Sequence, residues 1–196
     1  MHPAISEFVS DMIYEKELEC GISSEDRQLG LDLFDNKALA YIDIPKTRGE
    51  ESCGKSKHRI AEVKYLVQDA KKAIESNSEI SIGIITFYKE QENKLKKEAE
   101  RVLNAEQLHQ IKVGTVDSFQ GRQFDMVMLS CVRANNYKEM RKRVGFLDKI
   151  NRICVALSRA KSVLVVYGDS DTIKCISSFE ELYKRCNGDQ GYYEKY

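Results

Sequence analysis

The 196-residue sequence has no excess of either charge: 31 lysines and arginines stand against 31 aspartates and glutamates. That excludes a protein that meets nucleic acid or membrane through bulk basicity, so any such site has to be a local patch. None of the six cysteines forms a Cys-x-x-Cys pair, and the three histidines are not spaced as ligands. Neither a zinc module nor another metal centre is expected. There is no apolar run long enough to span a bilayer, no stretch laid out as a signal peptide, and no repeat or low-complexity segment. What remains is one domain with a core of its own, in a reducing compartment and without a membrane partner. A cytoplasmic location is expected, with the nucleus as the alternative. Cys131 and Cys154 lie inside apolar elements and read as small core residues.

Along the chain, helical and strand-like patterns alternate. An amphipathic helix is expected from Pro3 to Tyr14, then a polar connection from Glu15 to Asn36. Strands are expected at Leu39–Ile44, Ile80–Thr86, Ile111–Val116, Met126–Val132 and Val163–Tyr167. Ile60, Val63, Leu66, Val67, Ala70, Ala73 and Ile74 repeat at three and four residues and predict a helix within Ser56–Ser76. A charged helix over Lys89–Leu103 is expected on the outside of the sheet. A short helix is marked by Ile153, Ala156, Leu157 and Ala160, and a last one spans Thr172–Cys186 with a capping box at Ser178–Glu181. Residues 187–196 read as a frayed tail. This order predicts a single α/β domain over residues 1–196, with a largely parallel five-stranded sheet and helices on both faces.

Two stretches carry more polarity than packing explains. The first, Thr115 to Asp125, crowds Asp117, Ser118, Gln120, Gly121, Arg122 and Gln123 between two apolar strands. It is either a plain surface turn or a site, and ligands of open parallel sheets sit at carboxyl ends of strands. The second, Asn151 to Lys161, carries Arg152 and Arg159 seven residues apart, on roughly one helical face. A guanidinium at Arg159 suits a phosphate, being planar, always charged and bidentate. The alternative is a surface arginine paired with a carboxylate. Arg133 to Lys149 holds the only notable basic cluster, Lys138, Arg141, Lys142, Arg143 and Lys149, which is either a solvated loop or a phosphate contact. Gly49 to Ser56 matches the letters Gly-x-x-x-x-Gly-Lys-Ser, but the preceding Pro45-Lys46-Thr47-Arg48 is polar, where a phosphate loop needs a buried strand.

These stretches resemble the superfamily-1 helicases of the up-frameshift, nonsense-mediated-decay type. Val116 to Arg122 with Asp125 and Ser130 to Asn135 is similar to motif V of that family. Gly145-Phe146-Leu147, Asn151-Arg152 and Val155 to Ala160 are similar to motif VI. Ile84 to Tyr88 with Gln91 resembles motif IV, and Met1-His2-Pro3 resembles the end of Gln-Tyr-Arg-Met-His-Pro, which suggests a chain cut from something longer. The wording Cys154 to Lys161 is similar to the zinc-finger-bearing branch involved in small-RNA pathways.

The resemblance implies a RecA-like fold of the P-loop-NTPase type, here the second motor domain of an ATP-dependent RNA or DNA helicase. It implies Arg159 as the catalytic arginine on the γ-phosphate, with Gly121 and Gln123 also toward the nucleotide. Thr86, Tyr88, Thr115 and Ser118 are implied to face single-stranded RNA, or DNA, with Arg133 and Asn135 as further candidates; a structural role in the following turn is the alternative for Asn135. ATP with Mg2+ is the implied cofactor, the metal ligands belonging to an upstream RecA-like domain without which the chain is inactive. The sequence departs from the family at Gln123, where a glutamate is usual, and at Phe87, where proline is usual. Gln123 loses a charge-assisted hydrogen bond, and leaves a non-catalytic nucleic-acid-binding or docking module as the alternative function. A self-contained NTPase using Gly49 to Ser56 is the third reading.

Overall fold

Short apolar stretches separated by amphipathic ones fold into six parallel strands covered by helices on both faces. The computed structural model describes residues 1–13 and 20–196. The expected helix end at Tyr14 and the start of the connection at Glu15 lie outside the described residues. Helices and strands run α1 (Pro3–Ile13), β1 (Leu39–Asp43), α2 (Ile60–Ser76), β2 (Ile82–Thr86), α3 (Lys89–Val102), α4 (Ala105–Gln110), β3 (Ile111–Thr115) and β4 (Phe124–Ser130). They continue with α5 (Met140–Val144), α6 (Ile150–Leu157), β5 (Ala160–Gly168), α7 (Ser170–Ile173), α8 (Ser177–Asn187) and β6 (Tyr192–Lys195). The sheet order is β3-β2-β4-β5-β1-β6, and every pairing is parallel.

The five expected strands, β1 to β5, have their cores where the apolar runs place them, and their side chains alternate between two layers. Ile82, Ile84, Met126, Met128, Val165 and Tyr167 pack under α2 and α3. Ile85, Val127, Leu129, Leu164 and Val166 pack with Phe8 of α1, Ile153 of α6 and Phe179 of α8 on the other face. Cys131 is fully buried in this second layer, and burial pushes its thiol well above the ordinary value. Cys154 is half-buried.

The tail is a correction. Residues 192–195 pair with β1 and make a sixth strand. Tyr192 packs edge-on against Phe34, Tyr193 reaches Tyr41 and Tyr183, and the Tyr193 hydroxyl donates to Asp43 at 2.9 Å. Aromatic bodies with polar tips gave a tail that reads as polar yet packs. The capping box at Ser178–Glu181 is a second correction: α8 starts without a side-chain cap, and the Ser178 hydroxyl is buried with no hydrogen-bond partner. A capping box does form at Asn104 and Gln107, opening α4, a helix that the sequence pattern hid.

The carboxyl ends of the strands are tied by one buried polar node. The Arg59 guanidinium and the Glu62 carboxylate are both fully buried, with an N–O separation of 3.2 Å. Arg59 also donates to the carbonyls of Ile44, Pro45 and Gly49 at 2.7–2.8 Å. Glu62 accepts from the Ser130 hydroxyl at 2.6 Å and from the Val132 N–H at 2.9 Å. Gln91 of α3 joins the node, accepting from the Arg59 N–H and donating to the Ser130 hydroxyl, both at 2.8 Å. Burial pushes the Glu62 carboxyl above its ordinary value, against the pull of Arg59, Ser130 and Val132.

Removing one partner of such a pair strands the other charge in the core. Glu62→Ala is therefore expected to cost about 3–5 kcal/mol. Urea unfolding checks it: the midpoint falls sharply while the denaturant slope stays that of the parent chain.

Candidate functional site

The connection from β3 to β4 has no helix. It crosses β2 as a 3-10 turn, Val116–Phe119, followed by four residues of loop. Phe119 is fully buried and rests on Phe124 at 5.3 Å between ring centroids, so it anchors the loop from beneath. The Ser118 hydroxyl donates to the Thr115 carbonyl at 2.7 Å, closing the turn. Gly121 follows at φ +76°, a left-handed conformation that favours glycine, and its backbone is bare.

Helix α6 grips this loop at both ends. Arg152 pairs with Asp117 at the loop's start. Arg159, just past the helix, donates to the Arg122 carbonyl at 3.2 Å near the loop's end, and its own carbonyl accepts from the Phe124 N–H at 2.9 Å. The loop runs back along the strands, from the carboxyl end of β3 to the amino end of β4.

That direction sorts the expected residues into two groups. In a parallel sheet, Thr86 and Thr115 end β2 and β3, while Gln123 and Arg159 immediately precede β4 and β5. The two groups stand at opposite edges, roughly 20 Å apart along a seven-residue strand. The carboxyl-end rule thus accounts for one half of the site only. At the amino edge the structure brings together Gly121, Gln123 and Arg159. Of the five guanidinium N–H groups of Arg159, three are held by Val155 and Arg122 carbonyls and the Ser158 hydroxyl. Two remain for a ligand, on a rigid side chain beside exposed backbone. A phosphate group fits that donor set, as half of a site.

At the carboxyl edge, Thr115 and Asp117 line a groove with Lys55, Lys89, Phe146 and Arg152. Three residues expected there are buried rather than open. Thr86 is fully buried. Tyr88 is 3% exposed, its ring under Phe146; burial pushes its phenol above the ordinary value, with Arg133 pulling the other way. Arg133 is 4% exposed and bound to Glu51 at 3.0 Å and to the carbonyls of Arg143 and Lys142. Arg133 is a support of the 133–145 segment, not an open phosphate ligand. Asn135 joins it, donating to Glu51 and the Arg143 carbonyl.

Lys55, Lys89 and Phe146 went unnoticed as groove residues. The only sequence signal was an aromatic next to a glycine: Gly145 has φ +57°, and a Cβ there would lie 2.6 Å from the Tyr88 hydroxyl. Gly49 to Ser56 is not a phosphate loop, because it follows a 3-10 turn over Lys46–Arg48 and the next helix starts only at Ile60. Asp125 serves the sheet: burial raises its carboxyl, but the Ser81 hydroxyl and N–H and Lys161 outweigh this and hold it below the ordinary value.

The family model described as an AAA domain matches residues 1–171. The chain belongs to that family. It is the second RecA-like domain of a superfamily-1 helicase of the up-frameshift type. It is 33% identical over 177 residues, 86% of its length, to the Regulator of nonsense transcripts 1 homolog of Drosophila melanogaster. It is 30% identical over 182 residues, 89% of its length, to Helicase sen1 of Schizosaccharomyces pombe. It is 31% identical over 177 residues, 88% of its length, to the probable helicase senataxin of Homo sapiens. The matches span only 14%, 10% and 6% of those proteins. Among solved structures, the C-terminal domain of a possible DNA helicase from Lactobacillus plantarum shares the fold. Its TM-score is 0.50 at 13% identity, over 85% of this chain and 84% of that one.

Because no heavy atom lies within 4 Å of a Cβ built on Gly121, substitution there strains the backbone without crowding the core. Gly121→Ala is expected to cost about 1–2 kcal/mol, read as a lowered urea midpoint.

Proposed function

We propose that this helicase domain works as half of an ATP-driven motor on single-stranded RNA. The observation that supports it most is the two-ended grip of α6 on the 116–123 loop. Arg159 secures the end that exposes Gly121 and Gln123, and Arg152 secures the end that borders the groove with Thr115. ATP with Mg2+ would supply the transferable phosphoryl group; the phosphate loop and metal ligands belong to an upstream RecA-like domain. Arg159, with two free N–H groups, neutralises charge on the phosphoryl oxygens as it builds. Gln123 offers the nucleotide a neutral hydrogen bond. Thr115, at the end of the turn that the Ser118 hydroxyl closes, positions the strand by phosphate contact without reading sequence. Movement of the loop as the two domains close would change both contacts together. RNA is favoured over DNA because the relatives include a regulator of nonsense transcripts homolog. A role in the cytoplasm or nucleus, in transcript surveillance or a small-RNA pathway, belongs to this proposal.

Substitutions at two positions test it in a protein that retains the domain's own first RecA-like partner. Arg159→Ala is expected to lower RNA-stimulated ATPase by about a thousand-fold or more, and Arg159→Lys to rescue little of it, lacking the planar fork. ATPase within a few-fold of the parent would sink the arginine's role. Gln123→Glu, which restores a charge-assisted acceptor, is expected to lower KM for ATP by roughly five-fold with kcat little changed.

A further inference from the structure

Exposed large apolar residues among the described ones are few, and most fall in one place. Tyr137, Met140, Phe146 and Ile150 are 43–50% exposed, with Ile60 the exception elsewhere. Phe146 stands at the junction of two contiguous grooves. The first holds Thr115, Lys89 and Arg152; the second runs on between the 55–57 loop and the 140–149 segment, with Lys57, Met140, Arg141 and Lys149 on its walls. Tyr88, Phe146 and Lys55 line both. The Phe146 ring is held rather than free. Tyr88 lies 5.6 Å from it, and the Arg152 guanidinium lies 5.7 Å from its centroid.

Two cations of the second groove are unspent, while Lys57 and Arg133 pair with Glu51. Lys55 and Arg141 are exposed and form no ion pair among the described residues. Asp148, beside Lys149 at 3.7 Å, and Asp117, held by Arg152, are the acids on the two walls. Cations interleaved with a rigid, half-exposed ring are the chemistry of a strand-binding channel, in which phosphates meet the cations and a base stacks on the ring. An apolar protein partner would favour fewer uncompensated cations at its centre.

We infer that Phe146 is a base-stacking platform on the strand's path. On this path the strand leaves the Thr115 groove, places a base on Phe146, and continues along Lys55, Arg141 and Lys149. The inference rests on the nucleic-acid reading above and extends it to a second groove. The motor reading needs no such platform.

The test uses the chain with fluorescein-labelled oligouridylate and oligothymidylate, followed by anisotropy. Phe146→Ala, at a half-exposed position, is expected to keep the parent's thermal melt and to weaken binding by about 5- to 100-fold. The same oligonucleotides built with abasic sugars should bind the parent chain weakly and lose little more in the variant. Lys55→Ala with Lys149→Ala should lower the salt slope by about 0.7 for each phosphate contact removed. The chain has no tryptophan, so Phe146→Trp places a single reporter whose emission should be quenched by oligouridylate and not by its abasic counterpart. Binding unchanged in Phe146→Ala, or an unquenched tryptophan, overturns the platform and leaves the helicase-domain reading standing. No binding of any oligonucleotide overturns both the platform and the strand-facing role of Thr115. Polyglutamate that binds with the same dependence on Phe146 also overturns it, in favour of an acidic protein partner.

Discussion

The buried Arg59–Glu62 pair is the constraint on which the carboxyl edge of this sheet depends. A parallel sheet leaves its strand ends as separate loops with no hairpins to join them. Here one guanidinium collects the carbonyls after β1, and one carboxylate collects the hydroxyl and the N–H at the end of β4. Val132, which takes the second of these bonds, sits at φ +69°, an uncommon conformation for a β-branched residue. Its amide hydrogen bond to Glu62 holds the chain at that reversal. From it the segment that carries Arg133, Asn135, Gly145 and Phe146 departs. Desolvating both charges costs several kcal/mol per ion, and the number of hydrogen bonds at the node is what offsets that cost.

The same edge carries the open groove, while Gln123 and Arg159 stand at the other edge. A loop with no helix in it spans the two, and it is rigid because Phe119 pins its underside and α6 pins its ends. Under the proposed function, this arrangement would give coupling a physical form. Displacement of Arg159 pulls on the Arg122 carbonyl, and the same helix carries Arg152 on Asp117, next to Thr115. Two ligands that bias one stiff element influence each other without any further pathway. The Arg152 pair is partly exposed, so its stability contribution is small; its value lies in fixing register between helix and loop.

Most of the fold was readable because both layers of the core repeat at the right periods. The runs at Ile82–Ile85, Met126–Leu129 and Val163–Tyr167 alternate between the layers as buried parallel strands do, and α2 carries its apolar stripe at helical spacing. What escaped was structure that depends on partners distant in sequence. β6 is a strand only because β1 offers an edge and Phe34, Tyr41 and Tyr183 receive its tyrosines. Ser178 has the letters of a cap, but its side chain is buried, where it meets no N–H of its own helix. At the loop, Arg159 reaches the carbonyl of Arg122, the residue between Gly121 and Gln123. Arg133 does not stand open, since a basic residue in a motif looks the same in sequence whether it faces solvent or a buried Glu51.

The neutrality of the chain has the same origin. Its balance of charge conceals an uneven distribution, because the cations of the outer helices are spent locally. Lys94 and Lys96 pair with Glu90 and Glu92 on α3, and Lys184 and Arg185 pair with Glu180 and Glu181 on α8, all at a spacing of four residues. Such pairs contribute only tenths of a kcal/mol each, yet they cancel long-range field over those surfaces. Lys55 and Arg141 have no such neighbour, so the field is left around Phe146. Screening in physiological salt acts over about 8 Å, which is shorter than the distance across the sheet. A strand approaching the carboxyl edge therefore meets the local patch rather than the zero net charge.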